Sequence, residues 1–205
     1  ELIRRHRARF EAWSKAAREL KTPSGAAPLL TEHNFSKGLE LTDFPLMGKP
    51  KEKAPAATSA RVFHDGTKLH IRVFCAADTS KLAANGSSVP TERWTSGDHV
   101  ELFLSDGKDP NRYYQFAVDC FGNRCDLDNI DRMKWNGQWR SAVRKTDVGY
   151  EVDFIIPFET IRFTLSKPDL KMLLMRESSN PKFFTSWGGG KVHQMGEFGN
   201  LKLMR

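Results

Sequence analysis

The segment Trp94–Leu104, WTSGDHVELFL, decides the fold. A tryptophan stands beside small polar residues and a strand follows. Strand side chains alternate between two faces. Val100, Leu102 and Leu104 therefore point one way, and His99, Glu101 and Phe103 the other. The first set is ordinary core. The second places a carboxylate in mid-strand beside a large aromatic, where a half-buried strand would usually carry something blander.

The same alternation continues on both sides of this segment. In Tyr113–Cys120, Tyr114, Phe116 and Val118 share one face, and Tyr113, Gln115, Ala117 and Asp119 the other. Upstream, RVFH and TKLHIRVFCA flank Asp65-Gly66, and Asp-Gly between alternating runs predicts a type I′ hairpin turn. In its second arm Leu69, Ile71, Val73 and Cys75 alternate with His70, Arg72, Phe74 and Ala76. Tyr150 to Pro157 sets Tyr150, Val152, Phe154 and Ile156 against Glu151, Asp153 and Ile155. Strands are also expected at Arg140–Arg144, Leu170–Arg176 and Phe198–Leu203, with loops over 48–60, 78–96 and 177–195. Short alternating strands between turn signals predict an all-β, two-sheet antiparallel β-sandwich, jelly-roll or immunoglobulin-like, over residues 26–205.

Residues 1–25 read differently. Leu2, His6, Phe10, Trp13, Ala17 and Leu20 recur at spacings of three and four, which predicts an N-terminal helix with one apolar stripe. Thr22-Pro23-Ser24-Gly25 ends it. This segment is expected to be a linker or the tail of a preceding domain.

Composition narrows the function classes. The chain has 205 residues, 39% hydrophobic and 28% charged, which suits one globular domain with an appendage. No run of apolar residues is long enough to span a membrane, and no apolar stretch follows the first arginines as a signal peptide requires. The net charge is +7, but the first 21 residues hold seven Lys/Arg against three Glu, so much of the excess sits in one short segment. No basic stripe interleaved with aromatics crosses the domain, which argues against a nucleic-acid partner. Cys75, Cys120 and Cys125 lack zinc-site spacing. Cys120 and Cys125 flank a Phe-Gly-Asn-Arg turn, so they either pair across a hairpin, as in an exported protein, or are buried thiols.

Several non-core strand positions are planar and polar: Arg72, Glu101, Gln115, Glu151 or Asp153, and Arg176, near Phe74, Phe103 and Tyr113. Gathered on one sheet they would suit a sugar. Vicinal hydroxyls accept bidentate partners, and the C–H faces of the ring stack on aromatics. The alternative is a solvated face laced with ion pairs worth about 0–1 kcal/mol each. Catalysis has little support. Asp98 and Glu101 lie on opposite strand faces, so they cannot act as a facing carboxylate pair. No GxSxG, HExxH or P-loop is present.

An ordered set of pieces resembles the family 9 carbohydrate-binding modules and their relatives, sandwich domains found beside bacterial glycoside hydrolases and in xylanases. The pieces are Asp65-Gly66 before KLHIRV, Trp94 with DHVELFL, YQFAVD with Gly122, Gly149-Tyr150-Glu151-Val152 running to Ile156-Pro157-Phe158, Ser186-Trp187, and FGNLKL. The resemblance covers roughly residues 26–205. It implies a non-catalytic sugar-binding domain, recognising saccharide ends or short oligosaccharides, that serves an attached or partner glycoside hydrolase in a secreted, periplasmic or cell-surface setting. It implies that Trp94 forms one wall of an aromatic clamp and that Glu101 accepts sugar hydroxyls. The family's arginine falls at Ala117, and its second clamp tryptophan near Val192-His193. Arg72 or Arg176 is then expected to replace the guanidinium, Trp187 the second wall, and Gln115 to add a polar contact. The resemblance also implies structural calcium, for which Asp126, Asp128 and Asp131 are the oxygen cluster. Two other readings remain beside it. One is a domain that docks a neighbouring protein without binding sugar. The other is a haem-binding sandwich, for which the chain offers Met47, Met172, Met175, His193 and Met195.

Overall fold

Period-two alternation with one apolar face per strand has one economical outcome: two sheets stacked on their apolar faces. The computed structural model describes residues 22–85, 96–109, 111–130, 135–189 and 192–205 and shows that arrangement. Its strands are β1 Ser24–Ala27, β2 Leu39–Leu41, β3 Thr58–His64, β4 Lys68–Ala76, β5 His99–Ser105, β6 Tyr114–Asp119, β7 Arg124–Asp128, β8 Arg140–Thr146, β9 Gly149–Pro157, β10 Asp169–Ser179, β11 Lys182–Trp187 and β12 Gly199–Leu203. A seven-stranded sheet runs β1-β12-β10-β5-β6-β7, with β11 also paired to β10. A five-stranded sheet runs β2-β3-β4-β9-β8. Pairing is antiparallel except between β1 and β12, which run parallel. The expected N-terminal helix over 1–21 lies outside the described residues. Ser24 and Gly25, expected to end that helix, instead begin β1 against Asn200 and Leu201.

The core between the layers is built from the predicted faces. Leu69, Ile71 and Val73 of β4, Val100, Leu102 and Leu104 of β5, and Val152, Phe154 and Ile156 of β9 are all fully buried there. Burying each such side chain contributes about 1.5–3 kcal/mol, which sets register by preventing a one-residue slip. The β3–β4 hairpin closes as expected, but its turn is not type I′. Gly66 has φ 90° while Asp65 is not in the left-handed region, and type I′ needs positive φ at both central residues. The Asp65 carboxylate instead accepts from the backbone amides of Thr67 (2.8 Å) and Lys68 (2.7 Å).

The expected loop over 177–195 is only partly a loop. β10 extends to Ser179, and β11 returns along it to Trp187. The signal was present in KFFTSW, a short run rich in strand-favouring Phe, Thr and Trp after the turn signal Asn180-Pro181.

Cys75, Cys120 and Cys125 are buried, and none is in a disulfide. Of the two readings for Cys120 and Cys125, the hairpin bridge is excluded by parity and the buried thiols remain. Cys125 pairs with Ala117, on the face away from the core, whereas Cys120 belongs to the core with Val118. Burial raises the Cys120 thiol to about 12 and the Cys75 thiol to about 11, so both stay protonated.

Candidate functional site

The outer face of the seven-stranded sheet does not meet solvent as a bare polar surface. Phe103, Tyr113, Leu173, Met195 and Phe198 form a second, smaller apolar cluster there, with Val192 and Leu127 at its margin. The chain after β11 crosses this face and supplies Val192, Met195 and Phe198. Beside that cluster lie the polar side chains of β5 and β6.

Glu101 is the centre of this polar group. It is 6% exposed, and β6 places Ala117 directly opposite it. Gln115, 3% exposed, donates through Nε2 to Glu101 Oε2 at 2.5 Å. His99 Nε2 lies 2.8 Å from Glu101 Oε1. Both carboxylate oxygens are thus oriented by side chains one residue pair away on the same face. Among the described residues, Gln115 Oε1 is buried with no hydrogen-bond partner. A buried acceptor left so costs about 1–3 kcal/mol, and a ligand hydroxyl would recover that loss.

The aromatic side of the site is Tyr113, Phe103 and His193. The Tyr113 hydroxyl and His193 Nδ1 are hydrogen-bonded at 2.6 Å, and the His193 ring stands edge-on to Phe103 at 5.7 Å. His193 has φ 67°, a left-handed conformation that a non-glycine residue keeps only when its surroundings hold it. Burial pushes its imidazole below 6.5, and the Glu101 charge only partly offsets this, so His193 is neutral at pH 7.

The expected site residues divide sharply. Glu101 and Gln115 come together. Trp94 lies outside the described residues. Arg72 is on the opposite sheet, where its Nε and Nη2 donate to the two Asp153 oxygens, each at 2.7 Å, and its guanidinium lies over Phe35. The polar face foreseen from alternation is therefore two faces, because β4 and β9 belong to one sheet and β5 and β6 to the other. Arg176 pairs with Val100 and shares its inward face. It is fully buried and donates to the carbonyls of Ala57 (2.9 Å) and Ala76 (2.7 Å) and to Thr58 Oγ1 (3.2 Å). It ties the two sheets together and does not reach the outer face. Trp187 pairs with Leu174 and packs in the interlayer core at 4% exposure, so it is not a clamp wall. Sequence reasoning placed His99 on the correct face but gave it no role. The signal was its position two residues before Glu101.

Of the acidic cluster, Asp128 and one oxygen of Asp126 are already engaged by other groups. Asp128 Oδ2 accepts from Arg112 Nε (3.0 Å) and is ion-paired with Nη2 (2.8 Å), while Oδ1 accepts from the Ile130 amide (3.0 Å). Asp126 accepts from the Trp139 indole N–H, and burial pushes its carboxyl upward against the partial pull of Trp139, Gly137 and Arg124. A hard cation needs several ionised oxygens free to converge, and among the described residues no group of three or more acidic, His or Cys side chains does so. Asp131 lies outside the described residues. The methionines offered for haem are also dispersed: Met172 belongs to the interlayer core, while Met195 packs on the outer face.

Residues 32–179 match the family described as carbohydrate family 9 binding domain-like. No curated protein sequence matches the chain significantly. Several solved structures share the fold. A candidate carbohydrate-binding protein from Bacteroides uniformis ATCC 8492 superposes with TM-score 0.67 at 14% identity, covering 90% of this chain and 100% of that one. A family 9 carbohydrate-binding module from Caldicellulosiruptor kristjanssonii in complex with glucose gives 0.62 at 11% identity, covering 88% and 95%. The Caldicellulosiruptor kristjanssonii family 9 module in complex with cellotriose gives 0.59 at 12%, covering 88% and 93%. Domains of this family are non-catalytic binding modules. The matched span includes Glu101, Gln115 and most of both sheets, and the chain belongs to the carbohydrate family 9 binding domain-like family.

Proposed function

We propose that this domain binds a saccharide end or short oligosaccharide on the outer face of its seven-stranded sheet. The observation that carries the reading is the buried Glu101–Gln115 pair, whose unpartnered Gln115 Oε1 lies beside an aromatic group. The carboxylate accepts hydroxyl protons, and the amide oxygen accepts another. Tyr113 and His193 offer the flat surface against which a pyranose C–H face packs. Trp94, which lies outside the described residues, stays the family-implied candidate for an aromatic wall. The C. kristjanssonii modules, bound to glucose and cellotriose, indicate neutral glucosides as the first ligands to try. The domain serves a carbohydrate-active enzyme, attached or partnered, outside the cytoplasm. Family membership supports this placement.

The test is calorimetry against glucose, cellobiose and cellotriose, with a wider glycan array, on wild type, Glu101→Gln, Gln115→Ala and Trp94→Ala. Wild type binds at least one glycan, and each substitution weakens it tenfold or more while the fold stays intact. Binding that survives Glu101→Gln would remove the site assignment. Absence of binding to every glycan would favour a docking domain instead.

A further inference from the structure

His99 has both ring nitrogens facing oxygen acceptors. Nε2 lies 2.8 Å from Glu101 Oε1, and Nδ1 lies 3.0 Å from the Gly97 carbonyl. Glu177 Oε2 is also 3.7 Å from Nδ1. A neutral imidazole carries one N–H and one lone pair. One tautomer would turn its lone pair on a carboxylate, and the other on a carbonyl with a second carboxylate behind it. Only the doubly protonated ring donates on both sides. His99 is 1% exposed, so water cannot repair either mismatch.

We propose that His99 resides in the folded domain as an imidazolium, and that this cation positions Glu101 for the ligand. The second clause rests on the saccharide-site reading above. The groups around the ring agree with a cation. Glu101 is on its own strand. Glu177 faces it from β10, itself bonded by Lys182 of β11. Asp119 pairs with it from β6, its carboxylate accepting from the Phe121 and Asn123 amides. The neighbouring Asp98 carboxylate is turned to the amides of Ala83 and Ser179. His193, from the crossing segment and bonded to Tyr113, feels the Glu101 charge, but burial holds its imidazole below 6.5. Burial drives His99 toward the neutral form. The hydrogen bond and charge of Glu101, the charge of Glu177 and the Gly97 carbonyl together outweigh it, so His99 titrates above 6.5.

The resemblance puts the site's guanidinium at the position of Ala117, which stands directly opposite Glu101 and has no charge to offer. His99 supplies a cation from the strand of Glu101 itself. Because His99⁺ holds both Glu101 and the Gly97 carbonyl, losing one proton turns a lone pair on one of them and loosens either Glu101 or the backbone that leads into β5.

The competent form is then the protonated one, and apparent affinity scales with its fraction. One pH unit above the His99 midpoint the competent fraction is about one in eleven, and affinity is about tenfold weaker. The experiment combines imidazole nitrogen NMR with calorimetry against cellotriose from pH 5.5 to 9 on the whole domain. The expected result is a His99 ring with two N–H groups at pH 6, losing one as the pH rises through a midpoint above 6.5. Affinity falls about tenfold per unit beyond the same midpoint. Glu101→Gln lowers the midpoint, His99→Gln abolishes the pH slope, and His193→Gln leaves the midpoint in place. A neutral, single-tautomer His99 at pH 6 overturns the proposal. So does an affinity that stays flat through the His99 transition. If no saccharide binds, the positioning role falls with the site reading, while the NMR titration still decides whether the ring is charged.

Discussion

Arg176→Met separates an inter-sheet tie from a ligand contact. The guanidinium makes three hydrogen bonds, a buried one to Thr58 and two part-buried ones to the main-chain carbonyls of Ala57 and Ala76. Those carbonyls remain when the arginine is replaced. Isosteric apolar replacement of a buried charge is often neutral when its partner is removed too, but here the partners are backbone and cannot be. The Ala57 carbonyl keeps its bond from the Ala76 amide, so the cost falls mainly on the Ala76 carbonyl and the Thr58 hydroxyl, at about 1–3 kcal/mol each and partly relieved by local movement, and a loss of ~2–4 kcal/mol is expected. For a domain of this size that corresponds to a fall in Tm on the order of 10 °C. The Thr58–Thr185 hydroxyl pair beside it, 3.3 Å apart, would loosen as well. Urea unfolding with an unchanged m-value measures the loss. Saccharide affinity, taken well below the transition, stays within about threefold of wild type, because Arg176 lies on the far side of the sheet from Glu101. Stability within 1 kcal/mol of wild type, or a tenfold loss of affinity in a fully stable variant, would refute the reasoning.

Asp65→Asn should cost about 1–2 kcal/mol at pH 7. Burial raises the Asp65 carboxyl, but the bonds from His70, Thr67 and Lys68 outweigh it and hold the group well below 3.8. A depressed folded pKa gives stability that is full above the unfolded value and lost as pH falls through the folded one. The difference between wild type and Asp65→Asn should therefore persist at pH 6 and shrink steadily below about pH 4 in acid denaturation. Gly97→Ala should destabilise by more than about 2 kcal/mol and weaken binding, because φ is 97° and a Cβ would stand 2.2 Å from the Ala83 carbonyl oxygen. Thermal scans and calorimetry would read both effects, and a neutral variant would contradict the backbone placement. Alkylation followed by mass spectrometry should modify Cys120 and Cys125 only after unfolding, and oxidant should form no bond between them. Chelation with EDTA should leave Tm unchanged, since Asp128 is committed to Arg112. A drop of several degrees would point to a cation bound elsewhere.

Alternation alone made the sandwich legible. In β4, β5, β6 and β9 one apolar face per strand is written into a period of two, and burial of that face leaves no other register. Glu101 and Gln115 were legible for the same reason, as polar groups at outward parity. β10 was not. In LKMLLMRES both parities are apolar, so nothing local says which face Arg176 joins. Its pairing with Val100 settles that, and pairing is a long-range contact. Trp187 took its place in the core through Leu174 in the same way. Arg72 reads in sequence like a neighbour of Glu101, yet the chain returns β4 and β9 to the other layer. The sequence by itself determined the two-layer class, the inward faces of β4, β5, β6 and β9 and the family resemblance, because these follow from local periodicity and ordered short motifs. Which polar side chains meet was decided only by tertiary structure. Sheet membership and strand register are set by contacts between residues far apart in the chain, and those contacts brought His99 and Gln115 to Glu101 while turning Arg176 and Trp187 inward.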